Sequence, residues 1–237
     1  MILPELGGTQ KHRAAHRSPW ASRRWQATDD EASYASPIAA SIRGQRVILS
    51  LTREALVALK PADGQVLFRH RFRPAPNASV SAAAPLVVDD RIFISASYGA
   101  GARLLRFTDK DSEVVWSGDD SLSCHYATSV EHRGYLYGWH GRQEQGCELR
   151  CVELRTGKVR WSEAGLKAGS VTLAGEELLL LTEQGLLLRA PATPEGFKPT
   201  AHVQALPFEA RAFPALADGR LYARSQDRLW CLDLAKP

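Results

Sequence analysis

Apolar residues in this chain fall in short runs separated by tight polar turns. The clearest unit is Phe213-Pro214-Ala215-Leu216-Ala217-Asp218-Gly219-Arg220-Leu221-Tyr222, a small apolar strand, an Asp-Gly turn and a second apolar strand. The same pattern recurs at Ala84 to Phe93, Thr128 to Tyr137 and Ser170 to Leu179, and Ser36-Pro37-Ile38-Ala39-Ala40 opens a further copy with a longer turn. Taking Pro37, Pro85, Ser129, Val171 and Pro214 as equivalent positions, the copies lie 48, 44, 42 and 43 residues apart. A third and a fourth strand follow in each copy, best seen as Leu149 to Leu154, the turn Arg155-Thr156-Gly157, and Lys158 to Trp161.

Four short strands in each of five repeats, with almost no helical periodicity, predict an all-β fold: a β-propeller of four-stranded antiparallel blades. The blades are expected at about 34–72, 80–118, 126–164, 168–205 and 210–237, inside a propeller spanning 22–237. The fifth copy runs out after its third strand, whereas Arg23-Arg24-Trp25-Gln26 resembles the end of a fourth strand. Two readings follow. Residues 22–27 are a candidate closing strand that pairs with the fifth blade in a five-bladed ring, or they end a preceding blade of a longer propeller, of which this chain is the C-terminal part.

The turn between third and fourth strands carries a family resemblance. Cys151-Val152-Glu153-Leu154-Arg155-Thr156-Gly157-Lys158-Val159-Arg160-Trp161 is similar to the blade consensus of pyrroloquinoline-quinone-like propellers, Ala-x-Asp-x-x-Thr-Gly-x-x-x-Trp. Ala58 to Phe68 matches with Phe68 in place of Trp and with Gly64 in the turn, Cys231-Leu232-Asp233-Leu234 begins another match, and Trp116 holds the same place in the second copy. The fourth copy departs most, over Ala190 to Thr200. Glycine supplies the tight turn, and the large ring of Trp25, Phe68, Trp116 or Trp161 is expected to pack between blades. Cys151 and Cys231 take the small position of the consensus and are expected to be buried.

Charge narrows the partners. Residues 1–27 hold Lys11, Arg13, Arg17, Arg23 and Arg24 against Glu5 alone, which accounts for the whole net charge of +4. The balanced remainder argues against nucleic acid as a partner. Residues 1–21 match no part of a blade and are expected to be a disordered basic segment. They do not have the order of a secretory signal, so the chain is expected in the cytoplasm if its start is genuine. No run of eighteen apolar residues is present to span a bilayer. Cys147 and Cys151, four apart on one expected strand, would sit ~13 Å apart and cannot pair without a bend or turn between them.

In a propeller the loops from fourth to first strands and from second to third strands share one face. The first set holds Asp29, Asp30, Glu31, Asp119, Asp120 and His125, and the second holds Tyr98, His140, Arg142, Gln143 and Glu144. The acidic pairs follow Trp25 and Trp116 at nearly the same distance, so they could hold a hard cation or a cationic ligand, or simply start turns. His140 and Glu144 could do acid and base work, or belong to a hydrogen-bonded loop. The resemblance implies a non-catalytic scaffold of the outer-membrane assembly type, periplasmic or secreted, with a protein or peptide partner. Its alternative is a quinoprotein-type oxidoreductase using pyrroloquinoline quinone and calcium. Against that alternative, the chain has no adjacent cysteine pair and only one asparagine, Asn77.

Overall fold

The computed structural model describes residues 23–75, 80–108, 110–207 and 209–234. The basic segment 1–21 and Asn77 lie outside them. The described residues form five antiparallel sheets arranged in chain order, four with four strands and the last with three. The first blade comprises β1 (Ile38–Ile42), β2 (Gln45–Leu51), β3 (Ala55–Leu59) and β4 (Val66–Arg71). The second comprises β5 (Leu86–Val88), β6 (Arg91–Ala96), β7 (Gly101–Phe107) and β8 (Ser112–Gly118). The third comprises β9 (Val130–His132), β10 (Tyr135–Arg142), β11 (Gly146–Glu153) and β12 (Val159–Glu163), with a single 3₁₀ turn at Gln143–Gln145 between its second and third strands. The fourth comprises β13 (Gly169–Ala174), β14 (Glu177–Thr182), β15 (Leu186–Pro191) and β16 (Ala201–Gln204), and the fifth β17 (Ala215–Ala217), β18 (Arg220–Arg224) and β19 (Leu229–Asp233).

Strand alternation explains why the blades need one another. Successive side chains of a strand point to opposite faces. On β6, Ile92 and Ile94 enter a cluster shared with the first blade, while Phe93 enters one shared with Leu136 and Val152 of the third. On β10, Leu136 faces back to the second blade, and Tyr137 and Trp139 face forward to Val171, Leu178 and Leu180 of the fourth. On β14, Leu178 and Leu180 face back, while Leu179 and Leu181 face the fifth. The core is therefore a series of apolar layers between adjacent blades, with no single centre.

A recurrent lock sets each layer. The third strand carries a register shift between Ala58 and Leu59, between Leu104 and Leu105, and between Cys151 and Val152. The residue before the shift pairs across to the outer-strand aromatic: Ala58 with Phe68, Leu104 with Trp116, Cys151 with Trp161. A bulge bends the strand and increases its twist, which aims the ring at the next blade. Trp116 then lies on Gly157 of the third blade and donates its indole N–H to the Leu154 carbonyl at 2.8 Å. Trp161 donates to the Thr193 carbonyl of the fourth blade at 2.8 Å, and Phe68 meets Phe107 of the second at 5.8 Å between ring centres.

Trp25 makes the same lock on the first blade. Its indole N–H reaches the Pro61 carbonyl at 3.0 Å and its ring covers Gly64. It thus stands where the outer-strand aromatic of a blade ahead of the first would stand. Residues 23–27 form no strand, however, and among the described residues none of them pairs with β19. Pairing across the fifth blade is therefore absent from the described segment.

The fifth blade also corrects the expectation for Cys231. Leu221, Ala223, Trp230 and Leu232 pack towards the fourth blade, but the opposite face shows Cys231 exposed and Leu229 77% exposed. Cys151, at the equivalent position, is buried because the fourth blade covers it. All four cysteines are free thiols.

The lock makes a graded prediction. Gly134 and Gly157 both have positive φ, +86° and +73°, but an added Cβ at Gly134 meets nothing within 4 Å, whereas at Gly157 it meets the Trp116 ring at 2.9 Å. Gly134→Ala should cost about 1–2 kcal/mol from the left-handed backbone alone. Gly157→Ala should cost about 1–3 kcal/mol more through overpacking. Urea unfolding of the two variants measures the difference, and equal losses would remove the lock from the account.

Candidate functional site

The loops of the second, third and fourth blades converge on one face. Tyr98, at φ +62° and followed by Gly99 at +75°, caps the turn between β6 and β7. Its hydroxyl lies 3.1 Å from His125 Nε2, and His125 Nδ1 lies 2.5 Å from Gln143 Oε1. The Gln143 amide nitrogen donates to Glu144 at 3.2 Å, which orients its oxygen towards the histidine. One tautomer satisfies the whole chain: Nδ1–H donates to Gln143 and Nε2 accepts from Tyr98. Arg142 completes it, stacked over the Tyr98 ring at 4.4 Å and paired with Glu144 at 3.4 Å.

A second network ties the same loops to β10 and β11. Asp119 accepts from the Ser123 hydroxyl, and the Ser123 amide donates to His140 Nδ1 at 3.1 Å. Arg150 donates to the carbonyls of Asp120 at 2.6 Å and Ser121 at 3.1 Å, and to the Glu148 carboxylate at 2.9 Å. Burial, and then the Arg150 guanidinium, hold His140 below the usual histidine range. Hydrogen bonds from Ser162 and Arg150 hold the Glu148 carboxyl below its usual value. Tyr126 donates to Glu183 of the fourth blade at 2.8 Å, and Glu183 also meets Arg211 at 3.2 Å. Burial and that carboxylate push the Tyr126 phenol well above its ordinary range.

The structure thus brings Tyr98, Asp119, Asp120, His125, His140, Arg142 and Glu144 into the connected loops of the second and third blades. It keeps Asp30 and Glu31 apart from them. Asp30 accepts from Arg69 at 2.5–2.6 Å and from Thr52 at 2.9 Å, and Glu31 pairs with Arg53 at 3.2 Å, so both fasten their segment to the first blade. Asp29, next to them in the chain, is exposed. Among the described residues no group of three or more His, Cys, Asp or Glu side chains is placed to hold a metal ion. The carboxylates acting on His140 are those of Glu148, Asp119 and Asp120, and Glu144 is not among them.

Sequence reasoning missed Glu148 and Arg150, although their i, i+2 spacing on β11 puts them on one face. It also missed Trp139, Lys167 and Glu183, which line the places where the third and fourth blades dock. Between those blades opens a groove of about 400 Å³ lined by Gln143, Glu144, Cys147, Leu166, Lys167 and Glu183.

Three comparisons bear on this arrangement. The family model described as outer membrane protein assembly factor BamB matches residues 20–236. No curated protein matches the sequence. Among solved structures, BamB from Moraxella catarrhalis is similar with a TM-score of 0.65 at 15% identity, over 87% of this chain and 59% of that one. The computationally designed Ika8 protein is similar with a TM-score of 0.62 at 7% identity, over 89% of this chain and 61% of that one. The chain therefore spans about three-fifths of the length of either structure, and at these identities the likeness is one of fold.

The second network predicts a pH response. A native His140 held below 6.5 stays neutral while the unfolded chain takes up its proton. Its contribution is complete above about pH 6.5 and is lost as pH falls through the lower native value. His70, lowered by burial and then by Arg103, acts in the same direction. Urea midpoints between pH 7.5 and pH 5 should fall, and His140→Gln should make the fall shallower. An unchanged slope would show that His140 is not the group responsible.

Proposed function

Because the chain belongs to the family described as outer membrane protein assembly factor BamB, we propose that it is a non-catalytic protein-binding scaffold acting in outer-membrane protein assembly at the periplasmic side. The loop face of the second to fourth blades is the surface that meets the partner. One observation carries this reading: the face's reactive side chains are already engaged with one another. His125 has both ring nitrogens bonded, His140 uses Nδ1 as an acceptor, and Tyr126 and Arg211 are tied to Glu183. A general base needs a free atom within reach of the substrate proton and a pKa near the working pH. A binding loop instead gains from being fixed beforehand, since less ordering is required when the partner arrives.

In this reading no quinone is used. The acidic pairs serve as structural anchors, with Asp30 on Arg69 and Asp119 on Ser123. Among the described residues no helix is long and apolar enough to cross a membrane. The partner is a protein, and the interaction is one of loops on one face.

Two measurements test the proposal. Photo-crosslinking residues replacing Glu144 or Gln184, on the loop face, should give products that mass spectrometry identifies as components of the outer-membrane assembly machinery. The same replacement at Arg155, in the turn on the opposite face, should give none. Labelling from Arg155 alone would reverse the assignment of the face, and no product from either side would reject the scaffold role. Separately, pyrroloquinoline quinone added with calcium should leave both the quinone absorbance and the melting temperature unchanged. A rise in melting temperature that saturates with quinone would favour the oxidoreductase reading.

A further inference from the structure

We propose that the groove between the third and fourth blades seats an extended segment of a protein partner that presents a carboxylate to Lys167 and an apolar side chain to Cys147 and Leu166. This rests on the scaffold reading and names the chemistry of the partner at one place on the face.

The first support is an unpaired buried donor. Trp139 is 2% exposed, and its indole Nε1–H has no hydrogen-bond partner. Buried donors of this kind are nearly always satisfied, so one left open calls for an explanation. Trp139 lines a pit of about 10 Å³ together with Tyr126, Ala127 and His125. That is room for one water-sized atom. Gln143, Cys147 and Ala168 line both the pit and the groove, so the two adjoin. In the proposed seat, an oxygen of the segment, or a water beneath it, accepts from Trp139.

The second support is charge. Both acids of the groove are already matched: Glu144 by Arg142 and Gln143, and Glu183 by Arg211 and Tyr126. Lys167, exposed on the loop between β12 and β13, makes no hydrogen bond or ion pair with any described residue. It lines the groove, and its charge is felt by the Cys147 thiol there. The unmatched charge is therefore positive and stands above an apolar floor of Cys147, Leu166 and Ala168. Gly146 and Gly165 leave bare backbone along the walls, with nothing within 4 Å of an added Cβ. A groove of this size, with an apolar floor, bare backbone and one fixed charge, fits an extended peptide bearing alternate acidic and apolar side chains.

The test uses the full chain carrying Cys231→Ser, which leaves Cys147 as the accessible thiol beside the buried Cys124 and Cys151. The probes are N-acetyl-Leu-Asp-Leu-amide and N-acetyl-Leu-Lys-Leu-amide. At low salt the acidic peptide should shift the Trp139 indole N–H resonance and slow alkylation of Cys147 by N-ethylmaleimide. It should bind about threefold to fivefold more tightly than the lysine peptide, the range of one exposed ion pair. Lys167→Glu should invert that preference. If neither peptide perturbs Trp139 or protects Cys147, or if the preference survives Lys167→Glu, the seat is wrong. Crosslinks from Glu144 and Gln184 that persist in that case leave the scaffold role standing. Peptide binding as described without any crosslink leaves the seat and removes the scaffold role.

Discussion

The structure depends on the docking of one blade against the next. A four-stranded sheet with apolar side chains on both faces cannot bury either by itself, so each blade is stabilised by the neighbour that covers it. Alternation along β6, β10 and β14 sends successive residues into different inter-blade layers. The lock of aromatic ring on turn glycine, with indole N–H to turn carbonyl, fixes the angle and distance at which those layers close. Trp116 on Gly157 and Trp25 on Gly64 repeat one geometry at two junctions. The loops of the candidate site inherit their relative positions from these locks, since the site's residues belong to three blades and meet only where the blades are held.

The repeat made the fold readable because its period and its Thr-Gly-x-x-x-Trp turn are local features of the chain. Where the turn was rewritten, the reading thinned. In the fourth blade, residues 192–200 give no glycine under the ring of Trp161. Phe197 packs against that ring at 5.9 Å instead, and Thr193 supplies the carbonyl. The docking survived although the motif did not. Cys231 failed in the opposite way. Its local pattern matches that of Cys151, but burial depends on what covers the face, and a sequence pattern does not record that.

The site was legible as a face but not as a set of contacts. Grouping Tyr98, His125, His140, Arg142 and Glu144 on one side followed from propeller topology, and those residues do lie in connected networks there. The acidic pairs looked equivalent because they follow equivalent tryptophans. Their partners differ, however: Asp30 finds Arg69 and Thr52, and Asp119 finds Ser123. Partners supplied by neighbouring strands carry no signature in the spacing of the acids themselves. The same holds for the groove, whose walls come from the 143–147, 165–168 and 183–184 segments.

The electrostatics of the face suit the proposed role in recognition. Burial drives three of its groups towards their neutral forms: Tyr126 and Cys147 are pushed up and His140 is pulled down. Near neutral pH these groups therefore carry no charge and resist acquiring one. The charged side chains, Glu144, Lys167 and Arg211, stand at the rim, where Arg211 is 62% and Glu144 51% exposed. A neutral floor with a polar, charged rim is the anatomy of a protein interface. There the floor supplies apolar contact, and the rim sets which partner is steered in and in what register.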